Sequence, residues 1–323
     1  MEIESALGDA PAPTQRVLIT GATGFVGGAI ARHLSAKGYA VRIAVRDEAR
    51  IEGADFERAA VGDLGGPVDW GRALDGMNVV VHAAGLAHQP RSVDDGAMFR
   101  INAEATARLA MAARQAGVRR FLFVSSIRAI AGACSGETLT DETPPAPTDA
   151  YGRSKLEGEQ AALAVGAGAS ILRPTPVCGA GARGYFRLMA RIAATPFPLP
   201  VGGLSGRRSF VTDRNLAHAA AMLISHEDAI GRSFLVAEPA PLTAAEFVVA
   251  LREARGASAR VFEPPRMFAS LAARMPGLNR IIERLTQDLV VDCSALRAIG
   301  WSPIEDSRAG LRRMAGLDQA LVV

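Results

Sequence analysis

Tyr151 and Lys155 stand four residues apart in the stretch Tyr151-Gly152-Arg153-Ser154-Lys155. On a helix that spacing puts both side chains on one face. A phenol that ionises near ~10 in isolation transfers protons poorly at neutrality. A cation one turn away favours the phenolate and is expected to lower that value. Upstream, Ser126 follows Ser125 at the end of an apolar run from Arg120. A serine there can hydrogen-bond a substrate oxygen and orient it. Ser126, Tyr151 and Lys155 would form a proton relay for interconverting an alcohol and a carbonyl. Tyr-x-x-x-Lys alone is common by chance; a second motif gives it weight.

That motif is Gly21-Ala22-Thr23-Gly24-Phe25-Val26-Gly27, which follows the apolar run Val17-Leu18-Ile19 and opens the helix-like stretch Ala29 to Leu34. A strand, a glycine turn and a helix are what a dinucleotide pyrophosphate needs. Glycines let the backbone turn tightly and approach the phosphates, and the helix N-terminus supplies N–H groups and partial positive charge. The spacing is G-x-x-G-x-x-G, not G-x-G-x-x-G. At the end of the second expected strand, Val45 occupies the place where an acidic residue would hold the ribose hydroxyls of NAD, and Arg46 follows. Its planar fork can pair with a ribose 2′-phosphate, which favours NADP, while Asp47 keeps NAD open. Asp63, beside Leu64, can accept from an adenine amino group or cap a turn. His82-Ala83-Ala84-Gly85 places small residues where backbone must approach a ligand, and His82 itself reads as a packed or capping residue. Arg208 is a candidate diphosphate contact or an ordinary surface arginine.

These residues need a frame, and the pattern supplies one. Strands are expected at Arg16–Thr20, Ala40–Val45, Phe56–Val61, Asn78–His82, Arg120–Ser125 and Ala169–Leu172. Helices are expected at Gly27–Lys37, Val68–Leu74, Ala97–Ala116 and Tyr151–Ala164. Alternation of this kind argues for an α/β fold, a doubly wound parallel sheet of Rossmann type. After Pro174 the prolines at 176, 196, 198 and 200 loosen the pattern into a smaller, mostly helical substrate region. Ser209–Val211 and Ser233–Ala237 read as strands returning to the first domain around the helix Leu216–Ile224. Ala244–Ala254 and Met267–Leu285 read as amphipathic helices. The expected division is a loose tail over 1–15, a dinucleotide domain over 16–174 with about 207–238, and a substrate domain over 175–206 with 239–323.

Bulk properties narrow the classes. The chain has 323 residues, 49% hydrophobic and 21% charged, as in a globular protein with a substantial core. A net charge of +3 with scattered arginines excludes a nucleic-acid arm. Cys134, Cys178 and Cys293 are odd in number and have no metal-ligand spacing. No run approaches the roughly 18 apolar residues of a membrane span, and Met1 to Thr14 lacks the pattern of a secretion signal, so a cytoplasmic setting is expected.

Together the motifs resemble an extended short-chain dehydrogenase/reductase, the family of nucleotide-sugar epimerases, dehydratases and related reductases. Gly21, Gly24, Gly27, Asp63-Leu64, His82-Ala83-Ala84-Gly85, Asn102, Ser126, Tyr151 and Lys155 match. So do Leu172-Arg173-Pro174, Asp292-Cys293-Ser294, Leu296 and Gly300-Trp301-Ser302-Pro303. The resemblance implies Tyr151 as acid or base, Lys155 on the nicotinamide ribose, Ser126 polarising the carbonyl, and Asn102 completing a relay through water. It implies a nucleotide-sugar substrate and a homodimer formed by the helices of Asn102 and Tyr151, with Leu109, Ala113, Leu156 and Leu163 compatible. The alternatives are a nucleotide-sugar 4-epimerase with tightly held NAD and a non-catalytic dinucleotide sensor. There are departures. Ile127-Arg128 replace the Asp-Glu pair of the 4,6-dehydratases, so water elimination lacks its acid and base. Cys178 stands where tyrosine is frequent, and Tyr185 where an asparagine is frequent.

Overall fold

A computed structural model describes residues 15–47, 56–87, 94–166, 168–182, 185–264, 282 and 285–316. In chain order the strands are β1 Arg16–Thr20, β2 Ala40–Val45, β3 Glu57–Ala60, β4 Val79–His82, β5 Arg120–Val124, β6 Ala169–Pro174, β7 Val177–Cys178, β8 Val211–Thr212 and β9 Ser233–Val236. Seven form one parallel sheet in the order β3-β2-β1-β4-β5-β6-β9. The central strands are buried along nearly their whole length. Their apolar runs do not alternate with polar residues because both faces are covered, as parallel sheets require.

The helices are α1 Phe25–Ala36, α2 Gly71–Leu74, α3 Asp95–Phe99, α4 Ala105–Gln115, α5 Ala150–Val165, α6 Tyr185–Ala193, α7 Asp213–Ser225, α8 Ala244–Ala254, α9 Ser294–Ala298 and α10 Ser307–Gly316. Side chains alternate across a strand, so β1 feeds two cores. Val17 and Ile19 pack with Ile30 and Leu34 of α1 and Leu216 and Leu223 of α7. Leu18 packs on the other face with Leu74, with Leu109 of α4 and with Ala162 of α5. A third core, with Phe186, Phe210, Phe247 and Leu311, joins α6, α8 and α10. The strand order reverses between β1 and β4, and the crevice at their C-terminal ends is where such sheets bind ligands.

Several expectations need correction. The helix expected over Ala97–Ala116 is interrupted by a π-helical turn, Arg100–Glu104, between α3 and α4. No glycine or proline marks it. The turn sits where the Asn102 carbonyl lies so close to Gly158 of α5 that a β-carbon there would overlap it. The third strand and the helix before Leu74 are shorter than expected, at Glu57–Ala60 and Gly71–Leu74. Of the two later strands only β9 joins the main sheet; β8 pairs with β7 in a separate two-stranded sheet. Leu296 and Trp301, from the stretch after residue 239, pack in the α1–α7 core of the sheet. The tail Met1–Thr14 and nearly all of Met267–Leu285 lie outside the described residues.

Candidate active site

The glycine turn is built for close approach. Gly21 has φ +72°, and a β-carbon on it would come within 2.6 Å of the Ala84 nitrogen. A β-carbon on Gly27 would overlap the Gly21 carbonyl. The start of α1 therefore lies directly against the turn, with no side chain capping its first N–H groups. A cleft of about 290 Å³ follows, lined by Gly21, Thr23, Gly24, Arg46, Asp63, Leu64, Ala83, Ala84 and Gly85. A pyrophosphate needs such a cradle: backbone donors, a helix N-terminus and no β-carbons in the way. Arg46 and Asp63 face each other across it at 3.6 Å, both exposed. Phe25 packs instead toward the third core, so only its backbone is available to the turn.

Past Gly85 the cleft continues into a cavity of about 490 Å³ that contains Val26, Asn102, Ser126, Tyr151, Lys155 and Arg208. Ser126 caps a short 3-10 turn, Ile127–Ala129, where its hydroxyl accepts from the Arg128 nitrogen at 3.2 Å. Its side chain is also hydrogen-bonded to Tyr151. Asp149 caps α5 by accepting from Gly152 at 2.8 Å and pairs with Arg128 at 2.5 Å. The serine turn and the tyrosine helix are thereby locked together. The far wall is apolar, with Phe186, Phe210, Leu242, Phe247 and Leu289. Arg208 reaches the cavity while donating to the Ala133 carbonyl at 2.8 Å.

The electrostatics differ from the expectation at one point. Burial raises the Tyr151 phenol, partly offset by the Ser126 hydrogen bond and by Arg128, while Asp149 adds to the rise. Lys155 has close partners of its own on β5. Its ammonium donates to the Val124 carbonyl at 2.8 Å and lies 3.9 Å from the Phe123 ring centroid. Burial pushes Lys155 itself down to about 7, with Glu159 acting in the opposite direction.

Asn102 is fully buried and its amide is committed. It accepts from the Leu86 nitrogen at 2.8 Å and donates to the Leu86 carbonyl and the Ser154 hydroxyl at 3.0 Å. It holds the loop after β4 in place. His82 is also structural: its ring nitrogens contact Thr20 at 2.6 Å and Thr106 at 3.0 Å. Thr106 donates to the Asn102 carbonyl, and Thr20 accepts from the Ala84 nitrogen. Burial, then Lys155, lowers His82 to about 3, so it stays neutral.

Sequence reasoning named Ser125 and Arg173 without giving either a role, and passed over Glu159. The Ser125 hydroxyl donates to Glu159 at 2.5 Å, and Arg173 grips the same carboxylate with contacts from 2.6 to 3.1 Å. The available signal was spacing, since Glu159 continues the Tyr151–Lys155 face by one more turn.

Residues 17–237 match the family model described as NAD dependent epimerase/dehydratase family. The chain belongs to that family, and with it to the NAD(P)-dependent enzymes. It is 33% identical over 320 residues to UDP-glucose 4-epimerase of Vibrio cholerae, covering 95% of this chain and 96% of that one. It is 32% identical over 318 residues to a 3-diazoavenalumate denitrifying reductase of Streptomyces sp, covering 92% and 99%. Its fold is similar to that of MoeE5 in complex with UDP-glucose and NAD, with TM-score 0.75 and 22% identity, covering 95% of this chain and all of that one.

Proposed function

We propose that the chain is an NADP(H)-exchanging reductase that interconverts a ketone and an alcohol on a nucleotide sugar. The observation that carries this reading is the hydrogen-bonded Ser126–Tyr151 pair in a cavity that opens directly from the glycine cradle. Bound NAD(P) supplies or accepts the hydride at nicotinamide C4. The chain's own groups do the rest. Tyr151, its phenol raised and so protonated at neutrality, donates a proton to the carbonyl oxygen as that oxygen gains charge. Ser126 holds the same oxygen by a hydrogen bond. Lys155 spends one N–H on Val124 and keeps others for a ribose hydroxyl. Arg46 would meet a 2′-phosphate and Arg208 a diphosphate.

The two-part division, 16–174 with about 207–238 for the cofactor and 175–206 with most of 239–323 for the substrate, belongs to this reading. So does a cytoplasmic location, where a diffusible dinucleotide is available. Among the described residues no helix is long and apolar enough to cross a membrane. A homodimer belongs to it as well, but Leu109 and Ala113 lie in the chain's own core. The outward face of α4, with half-exposed Met111, would have to serve.

A 4-epimerase would use the same residues and leave the cofactor in place, and one close relative carries that name. The purified protein distinguishes the two. UDP-, dTDP- and GDP-linked sugars and their 4-keto forms are supplied with each cofactor, and NADPH absorbance is followed. The reductase reading expects stoichiometric NADPH loss that falls roughly 10²–10⁴-fold in Tyr151→Phe. Cofactor carried through purification, with sugars inverted and none consumed, would make it the epimerase. Unchanged turnover in Tyr151→Phe would remove the catalytic reading altogether.

A further inference from the structure

The face of α5 that carries Tyr151 and Lys155 carries a third ionisable residue one turn further on. Glu159 is 1% exposed, Lys155 4% and Arg173 7%. An isolated buried charge is costly, so each must find compensation. Both Glu159 oxygens are taken. One receives Ser125 and the Arg173 Nε; the other receives Arg173 through Nε and Nη2. Ser125 is the immediate neighbour of Ser126 at the end of β5. One carboxylate thus joins the helix of the tyrosine to the strand ends that flank the reacting centre.

The balance of charge around Lys155 is the second observation. From β4 it meets His82, which is neutral. From β5 it meets the Val124 carbonyl and the Phe123 face, dipolar partners only. On α5 the Tyr151 phenol is protonated, and beyond Glu159 lies the second cation, Arg173 from β6. Asp149 and Arg128 cancel each other at the start of α5. Glu159 is itself paired with Arg173, yet among the described residues it is the anion that acts on Lys155.

We propose that Glu159 is a positioning residue of the reacting centre: clamped by Arg173 and Ser125, its carboxylate is the counter-charge that keeps Lys155 an ammonium, and it ties the strand end carrying Ser126 to the helix carrying Tyr151. The inference rests on the proposed hydride-transfer reading only for its consequence. The electrostatic claim can be tested without turnover. Burial has already moved Lys155 to about 7, so loss of one negative charge decides its state at neutrality.

The chain contains two lysines, Lys37 and Lys155, so lysine labelled with 13C at the ε-carbon gives two NMR signals in the cofactor-free protein. In the wild type the Lys155 signal should titrate near pH 7. In Glu159→Gln its midpoint should fall by at least one pH unit, a tenfold change in the protonation equilibrium, and in Glu159→Asp by less. An unmoved midpoint in folded Glu159→Gln overturns the proposal. If Glu159→Gln does not fold, the double variant Glu159→Gln/Arg173→Gln deletes opposite charges together. Its midpoint should lie below the wild type, and one at or above the wild-type value overturns the proposal. NADPH affinity, read from nicotinamide fluorescence against pH, should weaken about one unit lower in Glu159→Gln than in the wild type. Failure of the wild type to bind NADPH at any pH would count against the proposed function, while the NMR shift would still decide the role of Glu159.

Discussion

Of the 36 basic residues, all but Lys37 and Lys155 are arginine. Arginine cannot shed its proton in a protein, whereas a buried lysine shifts readily. The chain therefore uses arginine where a fixed cation is needed and a lysine in the cavity of the candidate site. Arg46 is such a fixed cation. Its partner Asp63 is exposed and 3.6 Å away, a surface pair worth about 0–1 kcal/mol that an incoming phosphate can displace. A bidentate guanidinium–phosphate contact is worth more, roughly 1.5–3 kcal/mol. Arg46→Ala should weaken NADPH binding by about 10–100-fold and NADH binding by less than about threefold. Titration of both cofactors by fluorescence quenching checks this. Equal losses for the two would mean that Arg46 does not read the 2′-phosphate, and the preference would revert to NAD.

At the scale of elements, the cradle depends on how closely α1 meets the turn before it. A β-carbon at Gly27 would overlap the Gly21 carbonyl, so the turn must open to admit it. Gly27→Ala should cost about 1–3 kcal/mol of stability and raise the cofactor dissociation constant at least tenfold. Gly136→Ala, where no atom lies within 4 Å, should leave both within about 0.5 kcal/mol of the wild type. Calorimetric titration of the two variants makes the comparison. The same steric logic explains what could be read from the sequence. Gly21 and Gly27 advertise the cradle because only glycine fits there, and Gly24 between them is tightly packed on the Gly21 carbonyl. The central strands advertise themselves because burial on both faces demands unbroken apolar runs. Tyr151 and Lys155 were legible through helical spacing. The π turn at Arg100–Glu104 was not, because its cause is tertiary: Asn102 is tied to Leu86 and Ser154, and its carbonyl presses on Gly158. The Lys155 environment was hidden for the same reason. Val124 and Phe123 reach Lys155 from β5, while Ser125 and Arg173 hold Glu159 beside it from the ends of β5 and β6, and no local pattern records where a strand end will lie.

The whole molecule is fastened by a buried polar hub away from both cavities. Glu238, just past β9, accepts from the Thr212 nitrogen at 2.8 Å, from the Asn215 amide at 2.9 and 3.1 Å, and from the Ser307 hydroxyl at 2.6 Å. Asn215 in turn accepts from the nitrogens of Ile304 and Glu305, and Arg313 pairs with both Asp213 and Glu305. The end of the main sheet, the start of α7 and the C-terminal helix α10 therefore share one set of hydrogen bonds. α10 contributes Leu311 and Met314 to the third core, so the hub couples the sheet's stability to that of the third core. Glu238→Ala would leave the Thr212 nitrogen and part of the Asn215 amide buried without partners. That should cost about 3 kcal/mol, seen as a lower urea midpoint with an unchanged slope. Glu238→Gln keeps an acceptor oxygen and should lose less. Glu238 lines neither ligand cavity, so cofactor affinity of the folded protein should stay within about twofold of the wild type, unlike Gly27→Ala. A reduced slope or two separate transitions in Glu238→Ala would mean that the sheet and the third core unfold independently, and that the hub is a local contact rather than the joint between them.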